Sequence, residues 1–375
     1  MDTSSSSYFA KLAIAFLFLF VGPISSQNTV CPYQYLYHLG DGVTDVGNSI
    51  RVLPWGPSLP AARLPYGRSY PAADFGFPRI VPYLTPEANS SNGVIFSVAR
   101  SPVLDHKFFK QRGVKIPPYA VPLYEQLNWF KTHLKSVCGS NCANRLANSL
   151  ILLGDIEAND IGYSLLQGKS IKEARTYVPI ITQAQINVSR ELIRMGARQL
   201  IIPGNAPIGC FPYILTAFPS NDPKAYDEFG CLKIVNDLMT FKNNDLQQAI
   251  ASLRTEFPDV SIFYGAFDDG VRQYLTQFMA GELNDIFLSF HGIFHRYEIF
   301  SQTRPNRNNA LKACCGFGGK YNFNSKRFCG SRGVPVCPDP DNYIFWDGLH
   351  LTQEASHRIE QILIQPALST LNCAS

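Results

Sequence analysis

The mostly apolar run YLYHL (Tyr35–Leu39) leads directly into the polar segment GDGVTDVGN (40–48). A short apolar run that ends at glycine and aspartate is typical of a buried strand followed by a turn. Strands alternating with helices predict an α/β fold with a parallel sheet covered on both faces. Further strand-like runs lie at 149–153, 199–202 and 260–264, and the clearest helical patterns at 175–195 and 226–257. Because ligands bind at the carboxyl ends of such strands, we expect a site at 40–48.

Three more segments carry candidate site residues: GVIFSVARS (93–101), LLGDIEAND (152–160) and WDGLHLT (346–352). A further segment, GNAPIGCFP (204–212), belongs to the same ordered series. The segment WDGLHLT comes last in the chain. The last segment has a physical rationale of its own. An aspartate and a histidine three residues apart on a tight turn allow the carboxylate to hold one imidazole nitrogen while the other faces a reacting group. Asp347 and His350 have this spacing.

Together, these segments resemble the ordered sequence blocks of the plant GDSL esterases/lipases, a branch of the SGNH hydrolases. The matching segments run from residue 36 to about residue 362. The resemblance implies a flavodoxin-like α/β/α sandwich with a central parallel sheet. It also implies that Asp347 and His350 complete a catalytic triad and that the Asn159 amide donates to an oxyanion.

Two positions of this chain depart from the family pattern. The family's catalytic serine follows Gly-Asp, where this chain has Gly42, which has no side chain to attack an ester. An oxyanion-hole glycine is expected at position 100, where this chain has Arg100. Gly42 still offers a backbone N–H, but a position suited to glycine is not expected to keep its conformation under a long side chain. Loss of a triad serine costs about 10⁶ in turnover, so ordinary covalent hydrolysis is expected to be negligible.

Substitute nucleophiles are available in principle at Thr44, Ser49 and Ser101. Each would need its hydroxyl within hydrogen-bond reach of His350, which nothing in the sequence indicates. The other polar residues of the first segment are expected to be structural: Asp41 and Asp45 shape the turn and the following helix N-terminus, and Asn48 caps that helix or bonds neighbouring strands.

Three functional hypotheses follow. The first is a binding or scaffold protein with a small ester-like or anionic ligand or a protein partner. The second is a serine-free enzyme of the isomerase, lyase or cyclase type, with His350 and Asp347 as acid–base pair and Arg100 holding an anionic substrate. The third is residual hydrolysis of small acylated metabolites or lipids through another nucleophile or an activated water. Arg100 has an alternative interpretation, a salt bridge that plugs the old site.

The N-terminus predicts a secretory signal peptide over 1–26, leaving one domain over 27–375. Lys11 precedes an apolar run at 12–21 that is too short to span a bilayer comfortably, and small residues follow it. Asn89 and Asn187 lie in N-glycosylation sequons. We therefore expect a secreted or endomembrane protein, extracellular or vacuolar, without a membrane span.

Composition narrows the partner classes. The net charge of +4 is mild and no basic run stands out, so nucleic acid is not expected as a partner. Ten cysteines fit the secretory route, and disulfides are favoured over a zinc site for the cluster at 314, 315, 329 and 337. No cofactor or metal is expected. Two aromatic loops, 53–76 and 316–340, are interpreted either as a substrate rim or as loops that pack their rings on the sheet edge.

Overall fold

A six-stranded sheet forms the centre of the structure, a computed structural model that describes residues 31–281 and 305–373 apart from 54, 64–65, 67–74, 79, 87–89, 140, 155, 157 and 372. Its spatial order is β2-β3-β1-β4-β5-β6, and every neighbouring pair is parallel. The strands are β1 (Tyr35–Leu39), β2 (Val81–Pro82), β3 (Gly93–Ile95), β4 (Ser149–Leu153), β5 (Gln199–Pro203) and β6 (Ser261–Gly265). This arrangement confirms the predicted parallel α/β fold.

Two predicted strands coincide with observed ones and two are displaced slightly. β1 and β4 have the predicted bounds and pair in register from Tyr35 opposite Ser149 to Leu39 opposite Leu153. β5 continues one residue beyond the prediction, and β6 begins and ends one residue later. All five residues of β4 are buried, which explains why its apolar run could be recognised without any alternation.

Helices cover the sheet on both faces. The described helices are α1 (Ser49–Val52), α2 (His106–Gln111), α3 (Leu123–Cys138), α4 (Cys142–Ala147), α5 (Ala158–Leu166), α6 (Ile171–Met195), α7 (Pro212–Ala217), α8 (Lys233–Glu256), α9 (Phe267–Ala280) and α10 (Gln353–Thr370). Alternate strand residues face different cores: Tyr37 and Leu39 belong to the larger apolar cluster, and Leu36 belongs to the smaller one. The chain is therefore an α/β/α sandwich, as predicted.

The prediction of a helix over 226–257 was wrong at its start, because α8 begins only at Lys233. Asp227 folds the preceding residues into a turn, with its Oδ1 accepting from the backbone N–H groups of Phe229 and Cys231. The disulfide between Cys210 and Cys231 holds this turn against the segment before α7. Local side-chain bonds and a covalent link thus compete with the helical pattern. The other predicted helix, 175–195, forms as part of α6, which begins four residues earlier.

All ten cysteines are paired. The disulfides are Cys31–Cys373, Cys138–Cys142, Cys210–Cys231, Cys314–Cys337 and Cys315–Cys329. They confirm the preference for disulfides over a zinc site in the C-terminal cluster. The group Cys210, Asp227 and Cys231 has metal-like spacing, but both sulfurs are in a disulfide and are not free thiolates.

Several predictions concern residues that the structure does not describe. The signal peptide over 1–26 and the sequon at Asn89 lie outside the described residues. The other sequon residue, Asn187, is exposed on α6. No helix in the described part of the chain combines the length and apolar character needed to cross a membrane. The single domain over 27–375 stays a prediction, and the described residues lie in the unit Thr29–Leu283 and Thr303–Ala374.

Candidate active site

Gly42 lies in the turn that follows β1, directly beside the imidazole of His350. An ideal Cβ built on Gly42 would lie 2.8 Å from His350 Nε2 and 3.6 Å from the Cβ of Ala99. These positions show that three segments distant in sequence converge at the carboxyl end of the sheet. Gly42 is not among the residues with a left-handed backbone, so its conformation does not require glycine.

Asp347 and His350 form the pair that their spacing predicted. His350 Nδ1 lies 2.8 Å from Asp347 Oδ2, while Asp347 Oδ1 accepts from the backbone N–H groups of Leu349 at 3.0 Å and His350 at 2.8 Å. Gly348 sits between them at a φ of +90°, and a Cβ there would lie 2.4 Å from Phe323 Cδ2. The turn therefore needs glycine both for its backbone and for the ring packed on it.

Tyr66 is a partner of this pair that the sequence did not reveal. Its hydroxyl donates to Asp347 Oδ2 at 2.7 Å, the same oxygen that faces His350 Nδ1. The Tyr66 ring meets the imidazole edge-on, with centroids 6.1 Å apart. Tyr66 lies in one of the two aromatic loops, and no residue pattern links it to an aspartate 281 positions away.

The electrostatics of the pair favour an ionised carboxylate and a basic imidazole. Burial alone would raise the pKa of Asp347, but the charge of His350 and hydrogen bonds from His350, Tyr66 and the Leu349 N–H hold it well below its ordinary value. Burial would lower the pKa of His350, but the Asp347 carboxylate raises it above 6.5. The His350 side chain is 34% exposed, so its outer nitrogen can meet solvent or a ligand.

Asn159, on the first turn of α5, lies at the site but its amide is engaged elsewhere. Nδ2 donates to Asp41 Oδ2 at 2.6 Å and to the Ser101 carbonyl at 3.0 Å. An amide nitrogen has two protons, and both have partners here. In this arrangement Asn159 has no proton left for an oxyanion, so its predicted role as an oxyanion donor would require one of these bonds to open.

Asp41 is fixed between the first turn and Asn159. Its Oδ1 accepts from the Val43 N–H at 3.1 Å. Burial raises the pKa of Asp41 to about 7, against the lowering effects of that N–H, the His350 charge and the Asn159 amide. The peptide before it is clamped by Gln126 of α3, which is buried, accepts from the Gly40 N–H at 2.9 Å and donates to the Gly40 carbonyl at 2.8 Å. Gln126 is thus a positioning residue that the sequence did not indicate.

Arg100 has a backbone conformation that favours glycine, although it carries a long side chain. Its φ is +68°, in the left-handed region, and its carbonyl accepts from the Tyr163 hydroxyl at 2.8 Å. The side chain is exposed, with Cζ 5.7 Å from the centroid of the Phe328 ring. Among the residues that the structure describes, Arg100 has no ion-pair partner, which does not support a salt-bridge plug.

The three candidate substitute nucleophiles are not placed to replace serine. Thr44 is buried and its hydroxyl donates to Ser97 Oγ at 2.8 Å. Ser101 is buried and its Oγ accepts from the Val121 N–H at 3.2 Å. Ser49 begins α1. Within the described part of the chain, no hydroxyl forms a hydrogen bond with His350 Nε2.

The two remaining polar residues of the first segment are structural, as predicted. Asp45 accepts from the backbone N–H groups of Gly47, Asn48, Ser49 and Ala99. Asn48 provides no side-chain cap to α1 but donates to the carbonyls of Ile95 and Ser97. Of the two interpretations given for Asn48, bonding to the neighbouring strand region is the one observed.

The described rings of the two aromatic loops divide between buried and exposed positions. Tyr321 and Phe323 are buried, as is Phe75, which supports the packing interpretation for these rings. Trp55, Phe317 and Phe328 are exposed instead, and Phe328 stands on Phe323 with ring centroids 6.1 Å apart. The exposed rings leave the substrate-rim interpretation open, and among the described residues of the 53–76 loop Tyr66 reaches the pair.

Comparisons with known proteins cover nearly the whole chain. The family model described as GDSL-like Lipase/Acylhydrolase matches residues 36–362. Acetylajmalan esterase 2 of Rauvolfia serpentina is 39% identical over 365 residues, covering 92% of this chain and 93% of that protein. A GDSL esterase/lipase of Arabidopsis thaliana is 38% identical over 362 residues, covering 96% and 97%. Acetylajmalan esterase of Rauvolfia serpentina is 37% identical over 388 residues, covering 98% and 94%.

Proposed function

This chain belongs to the GDSL-like lipase/acylhydrolase family, and we propose that it binds a small ester-like or anionic ligand at the family's site without hydrolysing esters through an acyl-enzyme. The observation that carries the proposal is the contact at position 42. The backbone there has no side chain, and His350 Nε2 lies 2.8 Å from where a Cβ would be. The imidazole thus occupies space that a nucleophile's side chain would need.

The surrounding residues support loss of covalent chemistry while the site itself is kept. Both protons of the Asn159 amide are bound by Asp41 and Ser101. The Asp347–His350 pair is hydrogen-bonded, and Arg100 has a left-handed backbone. Five disulfides fit a protein that folds in an oxidising compartment, so secretion or retention in the endomembrane system is part of the proposal.

An alkyl fluorophosphonate, which phosphonylates activated serines with loss of fluoride, tests the proposal directly. The secreted wild type should not be labelled, and Gly42→Ser should be labelled at residue 42. Gly42→Ala is the matched control, because it adds the same Cβ without the hydroxyl. In parallel, wild type should not hydrolyse short acyl aryl esters. Turnover by wild type that His350→Ala abolishes would overturn the proposal in favour of an activated water or another nucleophile.

A second candidate function is serine-free acid–base chemistry on the bound ligand, of the isomerase, lyase or cyclase type. It is favoured by the orientation of His350, whose Nδ1 is held by Asp347 while its partly exposed ring leaves Nε2 without a hydroxyl partner in the described structure. A histidine fixed in this way can serve as a general base. Deuterium uptake from D₂O into a β-keto ester, lost in His350→Gln, would support this function, and equal uptake by both proteins would contradict it.

A further inference from the structure

Arg100 brings a positive charge to the candidate site. Its side chain is exposed, and no carboxylate in the described structure pairs with it. The residues on either side of it contact the site directly. Ala99 Cβ lies 3.6 Å from the ideal Cβ position of Gly42, and the Ser101 carbonyl accepts from the Asn159 amide. Arg100 therefore lies in the chain between a residue beside Gly42 and a residue bonded to the Asn159 amide.

The backbone of Arg100 is held in place although its conformation is unfavourable for arginine. Non-glycine residues rarely adopt a φ near +68°. The Tyr163 hydroxyl bonds the Arg100 carbonyl, and the next residue, Ser101, is buried and bonded to Val121 and Asn159. Because the surrounding contacts fix the backbone, the guanidinium is presented from a defined position rather than from a mobile loop.

Phe328 forms the apolar side of the same rim. The centroid of its ring lies 5.7 Å from Arg100 Cζ, and the ring stands edge-on to the buried ring of Phe323. Phe323 in turn packs on Gly348, the residue between Asp347 and His350. The neighbouring Cys329 is tied to Cys315, whose backbone N–H donates to the Trp346 carbonyl. Packing and a disulfide thus connect Phe328 to the turn that carries the pair.

We propose that Arg100 and Phe328 form a subsite that selects a ligand with a carboxylate beside a planar apolar ring. A guanidinium presents N–H donors in a fork that matches a carboxylate, while its face lies on an aromatic ring. The exposed Phe328 ring offers a surface for stacking the ligand's apolar part. This inference rests on the proposed function, since it assigns the ligand class of the same site.

The test compares 2-naphthoate with 2-naphthamide, which share a ring and differ in charge. Dissociation constants are measured by NMR titration with the secreted protein. Wild type should bind the naphthoate about tenfold more tightly than the amide, the effect of one charge-assisted interaction at a partly exposed site. Arg100→Gln should abolish this preference, and Phe328→Leu should weaken binding of both probes.

The control variants separate selection of the anionic probe by Arg100 from effects on folding and from effects of the protein's overall charge. Arg100→Gln keeps a long side chain at the same backbone angle, and Arg100→Lys should retain a preference for the anion. Arg194→Gln removes the same charge from α6 and should leave both affinities unchanged. Equal binding of the two probes by wild type, or a preference that survives Arg100→Gln, would overturn the subsite while leaving a binding site. Failure of wild type to bind either probe would also overturn the subsite, whereas the fluorophosphonate and ester experiments test the proposed function separately.

Discussion

His350 Nε2 lies 2.8 Å from the position that a Cβ on Gly42 would take. Carbon atoms of real side chains do not approach a ring nitrogen this closely, so the ring would have to retreat before any side chain could be restored. The ring is held by Asp347 on one side and faced by Tyr66 on another. Gly42 and His350 are therefore coupled: the missing side chain and the present position of the imidazole belong to one packing arrangement.

Gly42→Ala should destabilise the protein by about 1–2 kcal/mol, because the added methyl group displaces the His350 ring. Gly42→Ser should cost less, since its hydroxyl can bond Nε2, a difference of about 1 kcal/mol. Urea unfolding of both variants measures these values. In a His350→Ala background the ring is gone and both costs should nearly vanish. If Gly42→Ala is equally costly with and without the imidazole, the coupling between residues 42 and 350 is refuted.

The Arg100→Gly variant should be more stable than the Arg100→Ala variant, with a free energy of unfolding about 1 kcal/mol higher. Both variants remove the side chain and its contact with Phe328, but only glycine adopts a φ of +68° without a steric cost. Comparing these two variants with each other, rather than with wild type, isolates the energetic cost of the backbone conformation at position 100. Thermal or urea unfolding gives the difference. Equal stability of the two variants would show that position 100 relaxes out of the left-handed region.

The sequence predicted the parts of this structure whose signals are local. β1 and β4 are short apolar runs bounded by polar turns, and Asp347 and His350 are three residues apart, so neighbouring residues were sufficient to predict them. The bond from Tyr66 to Asp347 and the disulfide between Cys31 and Cys373 join positions 281 and 342 residues apart. Only the fold brings such residues together, and nothing in their own surroundings indicates a partner.

The site was predicted less completely than the fold, because several groups compete for the hydrogen bonds of each polar side chain. The residue types at positions 41, 101 and 159 do not show that the Asn159 amide bonds Asp41 and Ser101 rather than facing a ligand. The left-handed backbone at Arg100 could not be predicted from the sequence for a related reason. Bonds made by Tyr163 and Ser101 hold that backbone from outside the residue itself.

Asp347→Asn should lower the pKa of His350 below its ordinary value of 6.5, because burial then acts without the carboxylate that raises it. An NMR titration of the His350 Hε1 resonance, assigned with His350→Gln, measures this shift. A His350 pKa that stays above 6.5 in Asp347→Asn would show that another group, such as Asp41, supplies most of the stabilisation of the imidazolium.

The same pair predicts a pH-dependent difference in stability. The pKa of His350 is raised in the folded protein. Its contribution to the free energy of unfolding is therefore fully present below pH 6.5 and is lost as the pH rises through the pKa of the folded state. The folded pKa of Asp347 is lowered, so its contribution is present above pH 3.8 and is lost as the pH falls through the folded value. The free energy of unfolding of wild type should therefore exceed that of Asp347→Asn by the largest amount between about pH 4 and 6.5. Because His350 is partly exposed, we expect this difference to be roughly 1–2 kcal/mol. A difference that instead grows from pH 6.5 to 9 would contradict this.

Tyr66→Phe should raise the pKa of His350 while leaving the ring contact in place. In the wild type, Asp347 Oδ2 accepts from both the Tyr66 hydroxyl and His350 Nδ1, so the hydroxyl draws off part of the carboxylate's negative charge. Without it, the carboxylate interacts more strongly with the imidazolium, and its own pKa moves back towards the ordinary range. The same Hε1 titration measures the change, with Tyr177→Phe as the matched control because it removes a tyrosine–carboxylate bond, to Glu173, within α6. An unchanged or lower His350 pKa in Tyr66→Phe would mean that the hydroxyl orients Asp347 rather than competing for its charge.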